Sequence, residues 1–458
     1  MKIAFHPKLL DCLPTYNRAQ FGKDLASGIT VGVLALPLAM AFAIASGCSP
    51  AAGIWTAIVA GFITSACGGS RVQIGGPTGA FIPIIYGIVA MHGFANLMGA
   101  TMLAGIFLLA MGIARMGQLI RFIPVTVVIG FTNGIAVVIF LAQLKDFFGL
   151  QIDNLPAEFF ARIKTLAANA HTVDLPTLAL ATACFVLLLS YNRLAQRFAL
   201  LRRAPGPLVV LIVGTLAAFV FDLPVETIGS RFNGIPQELP NFGFPSVSVH
   251  DFGKLISPAI TIALLGAIES LLSARVADSQ IDDRHDPNQE LIAQGLSNIA
   301  APLFGGFAAT GAIARTTTNV KTGGRTPIAG IIHAVVLLGV VLIAAPLASY
   351  VPLATLSAIV MVVAVNMGEW HEFMELRRFS YNYRIILLVT FFVTVVFDLT
   401  IAVELGMVLA SLFFIYRMSE LTRIERLPLA EEADEPQFLY PDGTMRVAAW
   451  QLFGSLFF

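Results

Sequence analysis

The feature that most constrains this chain is its succession of long apolar runs, such as Ile331 to Leu347 and Ile385 to Val396. A helix needs about 20 apolar residues to cross the hydrocarbon core of a bilayer. Of the 458 residues, 57% are hydrophobic and 12% are charged, whereas soluble domains carry about 25% charged residues. The sequence therefore predicts an all-α polytopic membrane protein and excludes a soluble enzyme, a nucleic-acid binder and a disordered scaffold.

Hydropathy, together with proline, glycine and polar breaks, predicts fourteen transmembrane segments. Two of them, near 79–92 and 312–320, are too short to cross ~30 Å as helices that rise 1.5 Å per residue, so we expect half-helices there, at spans 3 and 10. The predicted segments are 24–46, 51–69, 79–92, 96–114, 122–143, 173–190, 206–222, 253–277, 289–303, 312–320, 327–347, 352–367, 383–400 and 402–417.

The distribution of basic residues predicts the orientation of the chain in the membrane. Net charge is zero, with 28 Lys and Arg against 28 Asp and Glu, so no basic surface indicates a nucleic-acid partner. If both termini are cytoplasmic, most basic residues lie inside, and the long outer loops 144–172 and 222–252 carry few. We therefore expect a multi-pass membrane protein with cytoplasmic N- and C-termini. An even number of spans, twelve or fourteen, satisfies this.

Composition divides the chain into four parts. Residues 1–23 are predicted to be a cytoplasmic N-terminal segment, and 24–417 the transmembrane domain. Residues 418–443 are polar and acidic and read as a linker. Residues 444–458 read as an extended segment ending on two phenylalanines, which we interpret as the start of a further, truncated domain, with an interfacial tail as the alternative.

Two places in the chain share a local pattern. Residues 75–81 read GGPTGAF and residues 305–313 read GGFAATGAI, so each has a Gly-Gly pair followed by Thr-Gly-Ala. Short, Gly- or Pro-interrupted segments at matching positions of two halves indicate the midplane site of a transporter. A helix that begins inside the membrane presents unpaired N–H groups and a partial positive charge, which suit an anion.

The threonines of the two motifs, Thr78 and Thr310, either donate hydroxyl hydrogen bonds to the ligand or cap their helices. Pro37 is expected to break the first span and open it toward the same cavity, and a packing kink is the alternative. His333, alone on an apolar face, is interpreted as a core histidine with satisfied hydrogen bonds rather than as a ligand.

Two ionisable residues inside predicted spans are candidates for proton coupling. Glu269 is a carboxylate in an apolar segment, a position that is costly and commonly functional, and Ser273 lies one turn on. Arg315 follows the second motif and is expected either to add positive charge to the pocket or to pair with Glu269. The alternatives are a structural bond for Glu269 and snorkelling of Arg315 to the surface.

The sequence lacks the residue patterns that enzymes and metal-binding proteins require. The four cysteines are scattered without a CxxC pair, and the chain has no nucleotide-binding loop, no metal-ligand spacing and no hydrolase motif. We therefore predict that the protein is not an enzyme and holds no metal and no cofactor.

These segments together resemble the SulP family of anion transporters, the solute-carrier-26 family, from residues 24–30 through 404–411. The stretches 266–273, 288–298 and 305–315 carry the most specific part of the resemblance. Within the family, the chain is most similar to bacterial dicarboxylate transporters and shares features with bicarbonate transporters.

The resemblance implies two inverted seven-span repeats, a core and a gate bundle, an elevator motion and a homodimer. It also implies a C-terminal cytoplasmic STAS domain, whose first strand the residues after 444 resemble. The substrate-binding residues that it implies are Thr78, Gly79, Ala80, Phe81, Gly311, Ala312 and Ile313, flanked by Pro37 and Ala41.

The resemblance also bears on coupling. Sodium-coupled bicarbonate members have an aspartate in place of Glu269 and a threonine ligand in place of Ile313, whereas proton-coupled members share Glu269 and Arg315. Sulfate members commonly have a glutamine where this chain has Leu38. We therefore expect a secondary-active, proton-coupled transporter of sulfate, C4-dicarboxylate or bicarbonate in the bacterial inner membrane. The alternatives are sodium-coupled bicarbonate uptake, anion exchange, an uncoupled anion channel and a membrane scaffold that signals through STAS.

Overall fold

The architecture comes from a computed structural model that describes most of the membrane domain and short stretches beyond it. The described residues are 5–118, 124–152, 155–197, 204–240, 242–246, 252–397, 405–406, 408–409, 411–413, 423–426 and 450–453.

Helices that pack side by side account for most of the described chain. The longer ones, with α9 short by comparison, are α1 (Arg18–Ala45), α2 (Pro50–Cys67), α3 (Ile82–Ile113), α4 (Val125–Phe148), α5 (Leu175–Arg197), α6 (Gly206–Val220), α7 (Phe252–Ile281), α8 (Pro287–Leu303), α9 (Ile313–Lys321), α10 (Ile328–Ala348), α11 (Leu353–Met367) and α12 (Tyr381–Val396). Peripheral short helices are Lys8–Cys12, Phe159–Ala168, Ile228–Phe232 and Trp370–Met374. The strands are β1 (Gly75–Gly76), β2 (Thr310–Gly311), β3 (Arg423–Arg426) and β4 (Trp450–Phe453).

Local sequence explains where several helices begin. The Asn17 side chain caps α1 by accepting the Gln20 amide, and the Ser49 side chain caps α2 directly before a proline. The Asp286 side chain accepts two amides at the start of α8, which also opens on a proline. A polar cap followed by proline at the first helical position is a strong helix start, because proline lacks the N–H that would be unpaired there.

Six described helices are long and apolar enough to cross a membrane, and four further apolar helices are shorter. The predicted segments 79–92 and 96–114 form one helix, α3, whose backbone departs from helical geometry at Gly93, with φ 80°. Positive φ is accessible to glycine at low cost, so the predicted break is a kink rather than a loop. Most of the predicted span 402–417 lies outside the described residues.

The expected break at Pro37 is wrong, because α1 runs without interruption from Arg18 to Ala45. Proline removes one intrahelical hydrogen bond, but tight packing on neighbouring helices allows a membrane helix to continue through it. Pro37 is buried within such packing.

The helices sort into two groups by their packing. The core bundle contains α1, α2, α3, α7, α8, α9 and α10, with α10 against α1 and α2, and α3 against α7 and α8. The gate bundle contains α4, α5, α6, α11 and α12, with α4 against α11 and α12, and α5 against α11. The bundles meet where α1 packs on α11 and α6, and where the start of α3 approaches α4 and α11.

Glycines allow the closest approaches within the core bundle. A Cβ on Gly105 of α3 would lie 2.7 Å from the Gly295 carbonyl oxygen of α8, and a Cβ on Gly53 of α2 would lie 2.1 Å from the Ala39 carbonyl oxygen of α1. Small residues at such crossings let membrane helices gain dispersion contacts along their backbones.

A separate pair of strands lies beyond the helices. Arg423–Arg426, within the predicted linker, pairs antiparallel with Trp450–Phe453, in the segment predicted to be extended.

Candidate anion site

Two short strands bring the Thr-Gly-Ala motifs together. β1 and β2 pair antiparallel, with Gly75 opposite Gly311 and Gly76 opposite Thr310. Each strand leads directly into a helix start. β1 precedes the 3-10 turn Gly79–Phe81 that opens α3, and β2 precedes α9. The starts of the two segments predicted from the sequence therefore lie at one place in the core bundle.

Glycine is required at two positions of this crossing. Gly76 has φ 148°, and a Cβ there would lie 2.3 Å from Arg315 Nη1. A Cβ on Gly311 would lie 1.7 Å from Gln73 Nε2. A side chain at either position would displace polar groups that hold the crossing together.

Both helix starts present backbone N–H groups that no side chain caps. Ala312 is the N-cap of α9 and donates its own N–H to the Ile74 carbonyl oxygen at 2.8 Å. Ile313 follows and is 38% exposed. The first amides of a helix have no intrahelical acceptor and carry the positive end of its dipole. The 3-10 turn after Thr78 is likewise without a side-chain cap.

Neither motif threonine caps its helix, so the capping interpretation is wrong for both. Thr78 Oγ1 donates to Glu269 Oε2 at 3.0 Å. Thr310 Oγ1 donates to the Gly266 carbonyl oxygen at 3.1 Å and lies 2.7 Å from Ser270 Oγ. Both hydroxyls therefore attach the motifs to α7, and the first contacts the candidate proton carrier.

The predicted partner of Glu269 on α7, Ser273, has a different contact. Ser273 Oγ donates to Thr316 Oγ1 at 3.4 Å, and Thr316 Oγ1 in turn accepts the Ile74 amide at 3.1 Å. Ser273 therefore joins α7 to α9 and β1 rather than assisting the carboxylate of Glu269.

Two residues that sequence reasoning missed complete this attachment. Ser270 Oγ accepts the Gly311 amide at 3.2 Å, and the Ser270 carbonyl oxygen accepts Gln73 Nε2 at 3.1 Å. Both side chains are buried. Their signal in the sequence is weak, because a serine beside Glu269 and a glutamine before the first motif are ordinary polar residues until the fold brings them together.

Arg315 lies behind the paired helix starts. Its side chain is 1% exposed, and Nη2 donates to the Pro77 carbonyl oxygen at 3.0 Å. Among the described residues, no carboxylate lies within ion-pair distance of it. The expected pairing with Glu269 and the alternative of snorkelling are therefore both wrong in this structure, because the side chain packs under residues 76–77.

Apolar side chains from both bundles surround Gly79. A Cβ on Gly79 would lie 3.7 Å from Ile139 Cδ1 and from Met367 Sδ of the gate bundle, and 3.8 Å from Phe42 Cε1 of α1. Gly79 thus lies at the boundary between the bundles.

The remaining predicted substrate residues are buried, as Gly79 is. Ala80 and Phe81 are buried, and the Phe81 ring faces Gly266. Pro37 and Ala41 are buried in α1, and Phe42, beside Ala41, is the residue of that helix that reaches Gly79. Among the predicted substrate residues, Ile313 is therefore the most exposed, and Gly79 is the one that faces side chains of both bundles.

A second carboxylate of the core bundle, the fully buried Glu290 at the start of α8, was also missed. Its Oε2 accepts the amides of Gly69 and Ser70 at 3.0 and 3.2 Å, and its Oε1 accepts Gln294 Nε2 at 3.0 Å. Two backbone amides are typical partners of a structural carboxylate that holds a loop in place.

The sequence profile of the Sulfate permease family matches residues 21–390. The chain belongs to this family. The permease is 44% identical over 447 residues to the "Putative sulfate transporter YvdB" of Bacillus subtilis, covering 97% of this chain and 82% of YvdB. It is 32% identical over 461 residues to the "Bicarbonate transporter BicA" of Picosynechococcus sp., covering 95% of this chain and 78% of BicA.

Solved structures show the same fold. The permease superposes on the transmembrane domain of a cyanobacterium bicarbonate transporter BicA with a TM-score of 0.77 at 31% identity, covering 85% of this chain and 98% of that one. It superposes on the murine Solute Carrier 26 family member A9 in the inward-facing state with a TM-score of 0.82 at 20% identity, covering 94% and 74%. The resemblance to the SulP family inferred from the sequence is confirmed, and the permease is a multi-pass membrane anion transporter rather than an enzyme.

Proposed function

We propose that this transporter carries small oxyanions across the bacterial inner membrane and binds them between the Gly79 turn and the start of α9. The observation that supports this placement is the pairing of β1 with β2, which puts two uncapped helix starts side by side. Relatives named as sulfate and bicarbonate transporters support sulfate and bicarbonate as substrates, and a C4-dicarboxylate presents the same carboxylate chemistry.

The chemistry of binding rests on backbone dipoles and one guanidinium. Free N–H groups at the two helix starts donate to the anion, and the buried charge of Arg315 adds attraction from behind. Gly79 has no side chain to block the approach. The pocket needs no lysine or arginine in direct contact with the substrate.

Proton coupling is assigned to Glu269. An ionised carboxylate beside the pocket repels an incoming anion, and protonation removes that repulsion. Thr78 joins Glu269 to the turn that binds the anion, so the charge of the carboxylate and the position of the turn are linked. The carrier then takes up one proton with each anion as a symporter, and sodium is the less favoured coupling ion.

For the transport cycle, we propose an elevator motion of the core bundle against the gate bundle, in a homodimer with both termini cytoplasmic. Reciprocal packing supports two inverted seven-span repeats. The contacts of α1 and α2 with α10 correspond to those of α7 and α8 with α3, and the contact of α4 with α12 corresponds to that of α11 with α5. The residues from 444 are assigned to the start of a STAS domain.

Substitution at Gly79 tests the site. Gly79→Leu fills the space bounded by Phe42, Ile139 and Met367, so we expect anion binding and uptake to be abolished. Gly79→Ala is the control, because its Cβ makes ordinary contacts of 3.7–3.8 Å and leaves the amides accessible. Binding of labelled sulfate and bicarbonate to purified protein in proteoliposomes is the measurement. Wild-type affinity in a folded Gly79→Leu protein contradicts the placement.

An uptake panel separates the alternatives. Labelled sulfate, bicarbonate and succinate are offered to proteoliposomes with and without sodium and a pH gradient. Accumulation driven by the pH gradient supports proton symport, whereas a sodium requirement, counter-anion dependence or non-saturable flux indicates sodium coupling, exchange or a channel respectively. Absence of any flux favours the scaffold.

A further inference from the structure

A tyrosine of α3 connects the core bundle to the segment that follows α4. The Tyr86 hydroxyl donates a hydrogen bond to the Leu155 carbonyl oxygen. Leu155 precedes the short helix Phe159–Ala168, which packs on α4 and α12 of the gate bundle. This hydrogen bond therefore crosses from the core bundle to the gate side of the molecule.

An arginine of the same short helix lies over the tyrosine ring. Arg162 Cζ is 5.6 Å from the centroid of the Tyr86 ring, which is the distance of a cation–π interaction. Arg162 is only 4% exposed. In the part of the chain that the structure describes, no carboxylate lies at ion-pair distance from its guanidinium. The Tyr86 ring therefore helps to stabilise a buried charge that has no carboxylate partner.

The guanidinium of Arg162 is held in place by carbonyl oxygens of the gate side. Its Nε donates to Pro156 at 2.9 Å, its Nη2 to Ala157 at 3.0 Å and its Nη1 to Val138 of α4 at 3.5 Å. None of these three acceptors belongs to a helix of the core bundle. If the bundles separate here, Arg162 stays with the gate side and loses its contact with Tyr86.

Tyr86 lies on the face of α3 that continues from Gly79, because residues seven positions apart share one face of a helix. Gly79 itself faces Ile139 and Met367 of the gate bundle. On the other side of the anion site, Ile313 at the start of α9 is 38% exposed. The boundary between the bundles is thus closed by polar contacts on the α3 side of the site.

We propose that Tyr86, Leu155 and Arg162 form the contact that closes the bundle boundary on the α3 side, and that this contact opens and re-forms in each transport cycle. One hydrogen bond and one cation–π interaction bias the equilibrium between the closed and open states by a modest factor, so the contact can break in every cycle. Tyr86 and Arg162 are positioning residues and do not touch the anion. The inference rests on the proposed elevator motion, with residues 144–172 outside.

Thiol labelling from outside measures how often the α3 side opens. In a background without the native cysteines, Ile139→Cys places a thiol opposite Gly79 at a position that is 1% exposed. A membrane-impermeant thiol reagent is added to right-side-out vesicles. Tyr86→Phe keeps the ring and removes the hydroxyl, so we expect the labelling rate to rise about threefold to tenfold. Tyr86→Leu also removes the ring, and we expect a rise of more than about tenfold.

The matched control is Tyr191→Phe. The Tyr191 hydroxyl of α5 donates to the Ala204 carbonyl oxygen at 2.7 Å, just before α6, so this bond lies within the gate bundle. Thermal unfolding is expected to shift by a similar amount in Tyr86→Phe and Tyr191→Phe, since each loses one tyrosine hydrogen bond. The labelling rate is expected to rise in Tyr86→Phe and to stay unchanged in Tyr191→Phe, which separates closure of the boundary from general stability.

The role of Arg162 is tested by combining substitutions. If the ring acts through the guanidinium, the difference in labelling rate between Tyr86→Phe and Tyr86→Leu disappears when Arg162→Gln is added. A difference that persists in the folded Arg162→Gln protein contradicts the cation–π part of the contact. Size-exclusion profiles show which variants are folded. If Arg162→Gln does not fold, Tyr86→Phe and Tyr86→Leu carry the test.

Two results overturn the inference as a whole. One is an unchanged labelling rate in folded Tyr86→Phe and Tyr86→Leu proteins, and the other is an equal rise in Tyr191→Phe. Failure of the elevator motion gives a different result, because uptake then continues when Gly79→Cys and Ile139→Cys are cross-linked. If that cross-link stops uptake and labelling does not depend on Tyr86, the elevator stands and the closing contact is wrong.

Discussion

At the scale of single residues, the half-buried carboxylate of Glu269 and the fully buried carboxylate of Glu290 have different surroundings and therefore different expected roles. Glu269 accepts one hydroxyl, from Thr78, beside the proposed anion pocket. Glu290 accepts two backbone amides and a glutamine amide, and its hydrogen bonds hold the loop at Gly69 and Ser70. Fixed backbone donors hold a carboxyl group in one position, whereas a single hydroxyl can pair with either the ionised or the protonated carboxyl.

Glu269→Gln is expected to keep anion binding and exchange and to lose acceleration of uptake by external acid. The glutamine carbonyl oxygen still accepts the Thr78 hydroxyl, but the side chain no longer titrates. Uptake of labelled anion is measured across a range of external pH at constant internal pH. Accumulation by Glu269→Gln against a gradient with pH as the sole driving force contradicts proton coupling at this residue.

The matched control is Glu290→Gln. Its amide cannot accept both the Gly69 and Ser70 amides as strongly as a carboxylate, so we expect thermal stability to fall by about 1–3 kcal/mol. The acid dependence of the remaining uptake is expected to be unchanged. If uptake by Glu290→Gln loses its acid dependence, the proton-coupling residue is Glu290 on α8 rather than Glu269.

At the scale of elements, the crossing of β1 and β2 is small but joins distant parts of the chain. Its residues bond to α7 through Thr310 and Ser270, to α9 through Ile74 and Thr316, and to α8 through Asn298, whose Nδ2 donates to the Ala309 carbonyl oxygen at 2.9 Å. These contacts hold the two helix starts at fixed positions before an anion arrives, which reduces the entropy lost on binding.

Gly76→Ala is expected to distort this crossing. The residue has φ 148°, and the added methyl would lie 2.3 Å from Arg315 Nη1, so both backbone strain and a displaced guanidinium follow. Strain of this kind costs about 1–3 kcal/mol, and we expect anion affinity to fall at least about tenfold. Affinity is measured from anion-dependent shifts in thermal unfolding.

Gly87→Ala in α3 is the comparison, since its added Cβ meets no atom within 4 Å. The added methyl group is expected to leave anion affinity unchanged because it contacts nothing. The variant is also expected to stay folded, because alanine forms helices better than glycine does. Equal anion affinity in folded Gly76→Ala and Gly87→Ala proteins shows that the crossing does not set the pocket.

At the scale of the whole molecule, the division into two bundles predicts which contacts must change during transport. Gly79 belongs to the core bundle and faces Ile139 and Met367 of the gate bundle. Contacts within each bundle include polar as well as apolar ones. In the core bundle, for example, the hydroxyl oxygens of Thr64 and Ser297 lie 2.9 Å apart. An elevator motion changes the contacts between the two bundles and preserves the contacts within each bundle.

Cross-linking tests this division. In a background without the native cysteines, a short thiol-specific linker between Gly79→Cys and Ile139→Cys is expected to stop uptake. If the linker is cleavable, reduction is expected to restore uptake. The control keeps Cys184 and adds Thr355→Cys, two gate positions whose Sγ and Oγ1 lie 3.6 Å apart. Linking this pair is expected to leave uptake unchanged, and uptake that survives the Gly79–Ile139 link contradicts the elevator.

Several properties of this transporter follow from the sequence because they depend on local composition. Apolar runs identify a membrane protein, since burial of a polar backbone in lipid requires helices. Gly-Gly and Thr-Gly-Ala mark where α3 and α9 begin, because the glycines that interrupt the apolar segments are visible in the chain itself. Glu269 is recognisable because a carboxylate in an apolar span is costly wherever the span packs.

Contacts between distant segments were decided by the tertiary structure. The register of β1 on β2, the bond from Thr78 to Glu269, the roles of Ser270 and Gln73, and the burial of Arg315 under Pro77 join residues far apart in the chain. The continuity of α1 through Pro37 likewise depends on neighbours. Hydropathy and local motifs set which segments enter the membrane, whereas the direction and partner of each polar side chain follow from packing against segments that a single sequence does not pair.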